Sequence, residues 1–190
     1  TWDVSGMRGS GSHDVLGENI FIPDARAESM LGMPTWHDSP IFHFPMQAKI
    51  AYNKAAVALG VARAALDDFI EIAAEKKAFG TGTSIRDLPN TQAQIAESEA
   101  RLGSARSYLR EQLEIVWQLV RDGIVPTNKD LATLRLACTY GVQASIDSVD
   151  RVVRLTTTTG NRMDCPLERY LRDVRAVAGH FTLGTALYEP

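Results

Sequence analysis

Cysteine is scarce in this chain: Cys138 and Cys165 are the only two among 190 residues. They lie far apart, and neither belongs to a Cys-x-x-Cys or Cys/His ligand spacing. Two buried thiols acting as small apolar fillers are therefore expected, in a reduced, cytoplasmic setting. Long hydrophobic runs are missing too. None approaches the ~18 apolar residues that a membrane-spanning helix requires, and no signal-peptide pattern opens the chain. A surplus of one charge is also lacking. Twenty Lys and Arg face twenty-three Asp and Glu, for a net charge of −3, with both signs interspersed. That balance speaks against nucleic acid or an anionic membrane as the main partner. His13, His37 and His43 have no ligand-like spacing, and no metal is assigned.

What is present divides into two textures. Residues 1–38 carry glycine-rich turns and short extended runs. "TWDVSG" and Asn19 to Ile22, stopped by Pro23, read as two short strands. Two short strands do not make a stable domain. They are expected to be the end of a sheet whose other strands lie elsewhere, and a chain opening on Thr1 is expected to be part of something longer. Between them, "GMRGSGS" lacks both the P-loop and the GxGxxG spacing. It reads as a tight turn, with Gly9 and Gly11 supplying positive φ.

Residues 39–190 read as helices. The first is expected from Phe44 to Lys77, with a face of Met46, Ile50, Val57, Val61 and Ala64. The second follows "LPN", with Thr91 and Gln94 at capping-box spacing and a stripe of Ile95, Leu102, Ala105, Leu109 and Val116. The third follows Pro126, with Thr127 and Asp130 as its box. Its stripe runs Leu131, Leu134, Cys138, Gly141, Ser145, Ser148, Val152, Leu155. The small residues in the middle predict close helix approach and a central position. Gly160, after "LTTTT", is expected to cap its end. The fourth helix follows Asp164 as cap, with Pro166 in its first turn. Together these predict a mainly α protein: an antiparallel four-helix bundle preceded by a short β segment. Helices near 45 Å long (~1.5 Å per residue) present more apolar face than one bundle covers, so association with other copies is expected.

On a wheel of ~100° per residue, Leu167, Leu171, Val174, Ala178 and Phe181 share one side of the last helix. Arg169, Asp173, Ala176 and His180 fall opposite. By spacing alone, His180 is an exposed histidine near a helix C-terminus, and Arg172–Asp173 is either a solvated pair or a tie to a neighbour. The four threonines of "TTTTGN" either satisfy the backbone or meet a cofactor.

"WDVSGMRGSGSHDV" followed by "NIFIPDAR" resembles the end of the central β-domain of the acyl-CoA dehydrogenase superfamily. "PLERYLRDVRAVAGHF" resembles its last bundle helix, in the type-2 C-terminal domain of flavin-dependent hydroxylases. The resemblance implies that residues 1–38 end a β-domain and 39–190 form the C-terminal bundle. It places a helical domain and most of the β-domain before Thr1, and it predicts a tetramer. It also predicts no turnover by residues 1–190 alone. It puts flavin at "KKAFG" and "TTTTGN", which gives Lys76, Phe79, Thr157, Thr158, Gly160 and Asn161 as cofactor-binding residues. Lys76 replaces a family arginine, and the paired glycines of the dehydrogenases are lacking at "TTTTGN", so FMN and FAD stay equally open.

Aligning on Arg172–Asp173 sets His180–Phe181 where the dehydrogenases carry Tyr-Glu, and the hydroxylases carry a histidine at the position of His180. The resemblance thus implies a catalytic His180 in a two-component monooxygenase. That enzyme would take reduced flavin from a separate reductase and use molecular oxygen on an aromatic or polycyclic small molecule. The rival expectations are an acyl-CoA dehydrogenase using FAD and a non-catalytic helical oligomerisation module.

Overall fold

The computed structural model describes residues 1–27 and 37–183. A single turn, α1 (Pro40–His43), leads into α2 (Met46–Glu75), followed by α3 (Pro89–Arg121), α4 (Asn128–Leu155) and α5 (Pro166–Ala178). Cross-helix pairs fix the directions. Gln47 meets Arg135 at one end and Lys76 meets Thr159 at the other, so α2 and α4 run the same way. Arg101 with Asp147 and Arg151 with Glu97 set α3 against α4. Tyr170 with Asp68 and Arg175 with Asp150 do the same for α5. The result is an up-down-up-down bundle in which α4 packs on α2, α3 and α5. The expected central helix is central, and its stripe from Leu134 through Val152 is buried.

The face of α2 differs from the expected one. Met46 and Val57 are exposed, and the buried side is Ala51, Ala55, Ala58, Ala62, Ala65, Leu66, Phe69 and Ala73. An alanine stripe is weak in any hydrophobicity pattern, yet its small side chains let α4 and α5 pack close against α2. Phe181 is another correction. It is exposed, because α5 ends at Ala178 and the wheel no longer applies beyond it.

Capping follows the expected chemistry at only one helix. Thr127 and Asp130 form a reciprocal box on α4. Bonds from the Thr127 hydroxyl and amide hold the Asp130 carboxyl below its ordinary range. Thr91 caps nothing. It lies buried inside α3, which starts two residues earlier at Pro89, where a missing N–H is no loss. Asp164 does not cap α5 either; it pairs with Arg162 at 2.6 Å, and Cys165 holds the N-cap position without a side-chain bond. Gly160 is no C-cap: α4 closes at Thr156, and Gly160 is buried within a 3-10 turn, Thr157–Asn161.

No strand forms among the described residues, only an isolated bridge between Lys77 and Ser84. Both expected strands, at "TWDVSG" and Asn19 to Ile22, fail for one reason. A strand's backbone groups need a partner edge, and no described segment offers one. Val15, Leu16, Ile20, Phe21 and Ile22 are consequently exposed. The "GMRGSGS" turn is present as a 3-10 turn over Arg8–Ser10. Gly11 has positive φ as expected, but Met7 rather than Gly9 takes the other left-handed position.

Candidate functional site

Two clusters hold the residues singled out from the sequence, at opposite ends of α5. The first gathers where α2 and α4 end. Lys76 closes α2, giving its N–H to the Ile72 carbonyl and receiving the Ile85 N–H on its own carbonyl. Its ammonium donates to the Thr159 hydroxyl. That bond joins "KKAFG" to the Thr157–Asn161 turn, the two segments that the resemblance pointed to. Thr157, with φ 55°, Thr158 and Asn161 are exposed at the surface of the turn. Gly160 serves the protein's own packing: a Cβ there would stand 2.3 Å from the Thr156 Oγ and 3.0 Å from the Val153 carbonyl oxygen. Phe79 is fully exposed on the loop that follows, beside Gly80 and Gly82 with positive φ.

The second cluster lies past the far end of α5. His180 sits in a turn after the Gly179 C-cap, with its N–H on the Val177 carbonyl and its own carbonyl taking the Leu183 N–H at 2.9 Å. Its ring stacks on Phe181 at 4.7 Å. Burial, and then the positive charge of Lys54, push the imidazole below its usual range, so the neutral ring is favoured. Lys54 and Lys76 are about 33 Å apart along α2, at ~1.5 Å per residue. Within one chain, His180 and the Lys76–Thr159 cluster are therefore not brought together.

The face of α5 opposite the core is partly covered by the N-terminal segment, with Arg169 and Ala176 left exposed. Asp173 accepts the Met7 N–H at 2.6 Å, and Arg172 donates to the Ser5 carbonyl. Arg172 also forms a two-pronged pair with Glu168, at 2.6 and 2.8 Å, which raises the guanidinium and lowers the carboxyl from their ordinary ranges. Arg172–Asp173 is thus the tie, not the solvated pair. Gly6 makes the docking possible, since a Cβ there would lie 2.1 Å from the Arg172 carbonyl oxygen. Sequence reasoning missed Gly6 and Thr182. Periodicity carries no signal for either, because both lie outside helices.

The family profile described as "Acyl-CoA dehydrogenase, C-terminal domain" matches residues 52–184. This chain belongs to that family. Among relatives of this acyl-CoA dehydrogenase-type domain, "Indole-3-acetate monooxygenase" of Pseudomonas putida is 30% identical over 100% of the chain and 48% of its own length. The protein of the same name from Acinetobacter baumannii is 28% identical over 98% of the chain and 48% of its own length. The chain thus spans about half the length of these relatives. The fold matches that of "XiaF from Streptomyces sp. in complex with FADH2 and Glycerol", with a TM-score of 0.86 at 22% identity over 99% of this chain and 50% of that one. No helix among the described residues is long and apolar enough to cross a membrane.

Proposed function

We propose that this chain is the C-terminal bundle of a cytoplasmic, two-component flavin-dependent monooxygenase acting on an aromatic or polycyclic small molecule. The observation that carries the reading is the alignment of the whole chain with proteins named as monooxygenases of an indole acid. The turn after α5 supports it: Gly179 to Leu183 offers an imidazole and no carboxylate, so the acidic base a dehydrogenase needs is lacking there.

Residues 1–38 are assigned to the end of a β-domain and 39–190 to the bundle. The exposed apolar residues Ile20, Phe21 and Ile22 support this division, because they suit a strand end that pairs with further sheet. A tetramer is assigned too. Its support is the groove between α2 and α3, lined by Tyr52, Leu59, Leu102 and Leu109, where Gly60 and Gly103 leave open space. In a tetramer, the Lys76 cluster of one chain and the His180 turn of another are free to complete one site, which answers their separation within a single chain.

The donor chemistry of the Lys76 cluster fits a flavin cofactor. The Lys76 ammonium, the Thr157 and Thr158 hydroxyls and the Asn161 amide suit the phosphate and sugar-alcohol oxygens of FMN or FAD, while Gly160 keeps the turn closed and Phe79 offers a ring to stack upon. Reduced flavin, delivered by a separate reductase, supplies the activation of molecular oxygen. The protein's own part is to bind and orient the aromatic substrate, exclude water and hold a proton at His180.

The test is to supply the enzyme carrying this chain with reduced flavin, oxygen and indole- or phenol-type acids. Oxygenated product is the expected outcome. Bleaching of oxidised flavin by an acyl-CoA without oxygen, and no oxygenated product, would establish the dehydrogenase instead. Lys76→Ala is expected to weaken flavin binding about tenfold, by loss of a charge-assisted contact, as read by equilibrium dialysis.

A further inference from the structure

We propose that Thr182 is a positioning residue that holds His180 in the neutral Nε2–H tautomer, so that the imidazole meets its ligand as a hydrogen-bond donor and not as a base. This rests on the reading of His180 as a site residue.

The geometry is local and closed. The backbone N–H of Thr182 points at His180 Nδ1 at 3.3 Å, and the Thr182 hydroxyl lies 2.8 Å from the same nitrogen. A backbone N–H can only donate, so Nδ1 must be the acceptor and carries no proton. The ring proton of the neutral imidazole is then on Nε2. Thr182 is 2% exposed, and among the described residues its hydroxyl partners that same Nδ1. Because Nδ1 accepts the backbone N–H, the hydroxyl bonded to the same nitrogen must be a donor as well.

The rest of the turn prevents the ring from leaving. Leu183, also 2% exposed, anchors the turn and gives its N–H to the His180 carbonyl, and Phe181 covers one ring face. Turning the imidazole into a base at Nε2 requires a proton on Nδ1, where two donors already point. The Thr182 N–H would then lose its acceptor, and the hydroxyl would have to reverse and accept instead of donating; a buried donor without a partner is unfavourable. Burial and the charge of Lys54 act in the same sense, against the doubly protonated ring. A neutral Nε2–H is suited to giving a hydrogen bond to an oxygen of the substrate or of an oxygen-derived group.

The tautomer is measurable without flavin or substrate. In the 15N-histidine-labelled 190-residue chain, the His180 signals are assigned by their loss in His180→Gln. Long-range proton–nitrogen spectra should show unprotonated Nδ1 and protonated Nε2. Thr182→Val, which keeps the shape and removes the hydroxyl, should raise the minor Nδ1–H share roughly fivefold, as the loss of one neutral hydrogen bond implies, and Thr182→Ser should restore it. A wild-type Nδ1–H tautomer, or a Val variant indistinguishable from wild type, overturns the proposal. If the Val variant fails to fold, the wild-type tautomer decides alone.

Turnover of the enzyme carrying this chain then separates donor from base. Gln presents an N–H near the Nε2 position, so His180→Gln should stay within about tenfold of wild type while His180→Leu falls about a hundredfold. An equal loss in both overturns the donor role. Full activity in His180→Leu would sink the functional reading of His180 and leave the tautomer assignment standing.

Discussion

Gly141, in the middle of α4, and Gly6, in a turn resting on α5, are both buried, yet they carry opposite burdens. Gly141 belongs to a seam of small residues in the central helix, where close packing is expected. A Cβ added there would meet Leu59 Cδ1 at 3.7 Å, an ordinary contact. Gly6 belongs to no pattern, and a Cβ there would meet a backbone oxygen at 2.1 Å. The comparison teaches that a glycine in a stripe of small residues can still have room for a methyl, while a glycine outside any helical stripe can have none. At Gly6 the close approach is between a loop backbone and a helix backbone, neither of which can move aside as a side chain can.

The sharpest way to break the comparison is at Gly6. Gly6→Val forces a branched side chain against the Arg172 carbonyl, and overpacking against backbone should remove about 3 kcal/mol from the docked state. The Met7 amide reports the outcome, since its bond to Asp173 should slow its hydrogen exchange. Exchange at Met7 should become fast while amides in the middle of α4 keep their protection. Unchanged protection at Met7 would show that the segment shifts to accommodate a side chain, and the contrast between the two glycines would collapse.

Asp173 sharpens the same comparison with a smaller effect. Asp173→Ala removes the acceptor of the Met7 N–H and should weaken docking by about 1.5 kcal/mol, as hydrogen bonds to charged groups do. Arg172 still holds Ser5, so the loss should be partial. Docking of both variants can be ranked by limited proteolysis after Arg8, with Gly6→Val cut faster than Asp173→Ala.

The same contrast explains what was legible in the sequence. The bundle was, because Leu134, Cys138, Val152 and their neighbours repeat at helical spacing and are buried accordingly. The Thr127–Asp130 box was, because its two side chains act over three residues. The family resemblance pointed to "KKAFG" and "TTTTGN" separately, but the bond between Lys76 and Thr159 was not legible, because it joins segments 83 residues apart. What escaped depends on contacts between segments distant along the chain, or on small residues. The alanine face of α2 carries little hydrophobic signal, and Asp164 met Arg162 before it could cap α5. The docking of Ser5 to Met7 on Arg172 and Asp173 spans most of the chain. Thr182 acts on His180 only because the helix has already ended at Ala178 and the chain turns back.

The smallest expected effect is at Gly141, and it has the opposite sign. Gly141 is helical, without positive φ, so an alanine there adopts the native backbone without strain. It restricts the unfolded chain and removes a glycine from a helix interior, which together should stabilise by about 0.4–1 kcal/mol. The added methyl also gains van der Waals contact with Leu59 rather than displacing it. Ser145 continues to donate to the residue 141 carbonyl, because that bond uses only backbone oxygen. Gly141→Ala should therefore raise the melting temperature slightly, with the association state by light scattering unchanged. Gly141→Leu, whose branched end must pass Leu59, should lower it by overfilling the seam. If Ala and Leu both destabilise, the α2–α4 contact is tighter than the 3.7 Å contact implies, and Gly141 joins Gly6 as a position where only the absence of a side chain is tolerated.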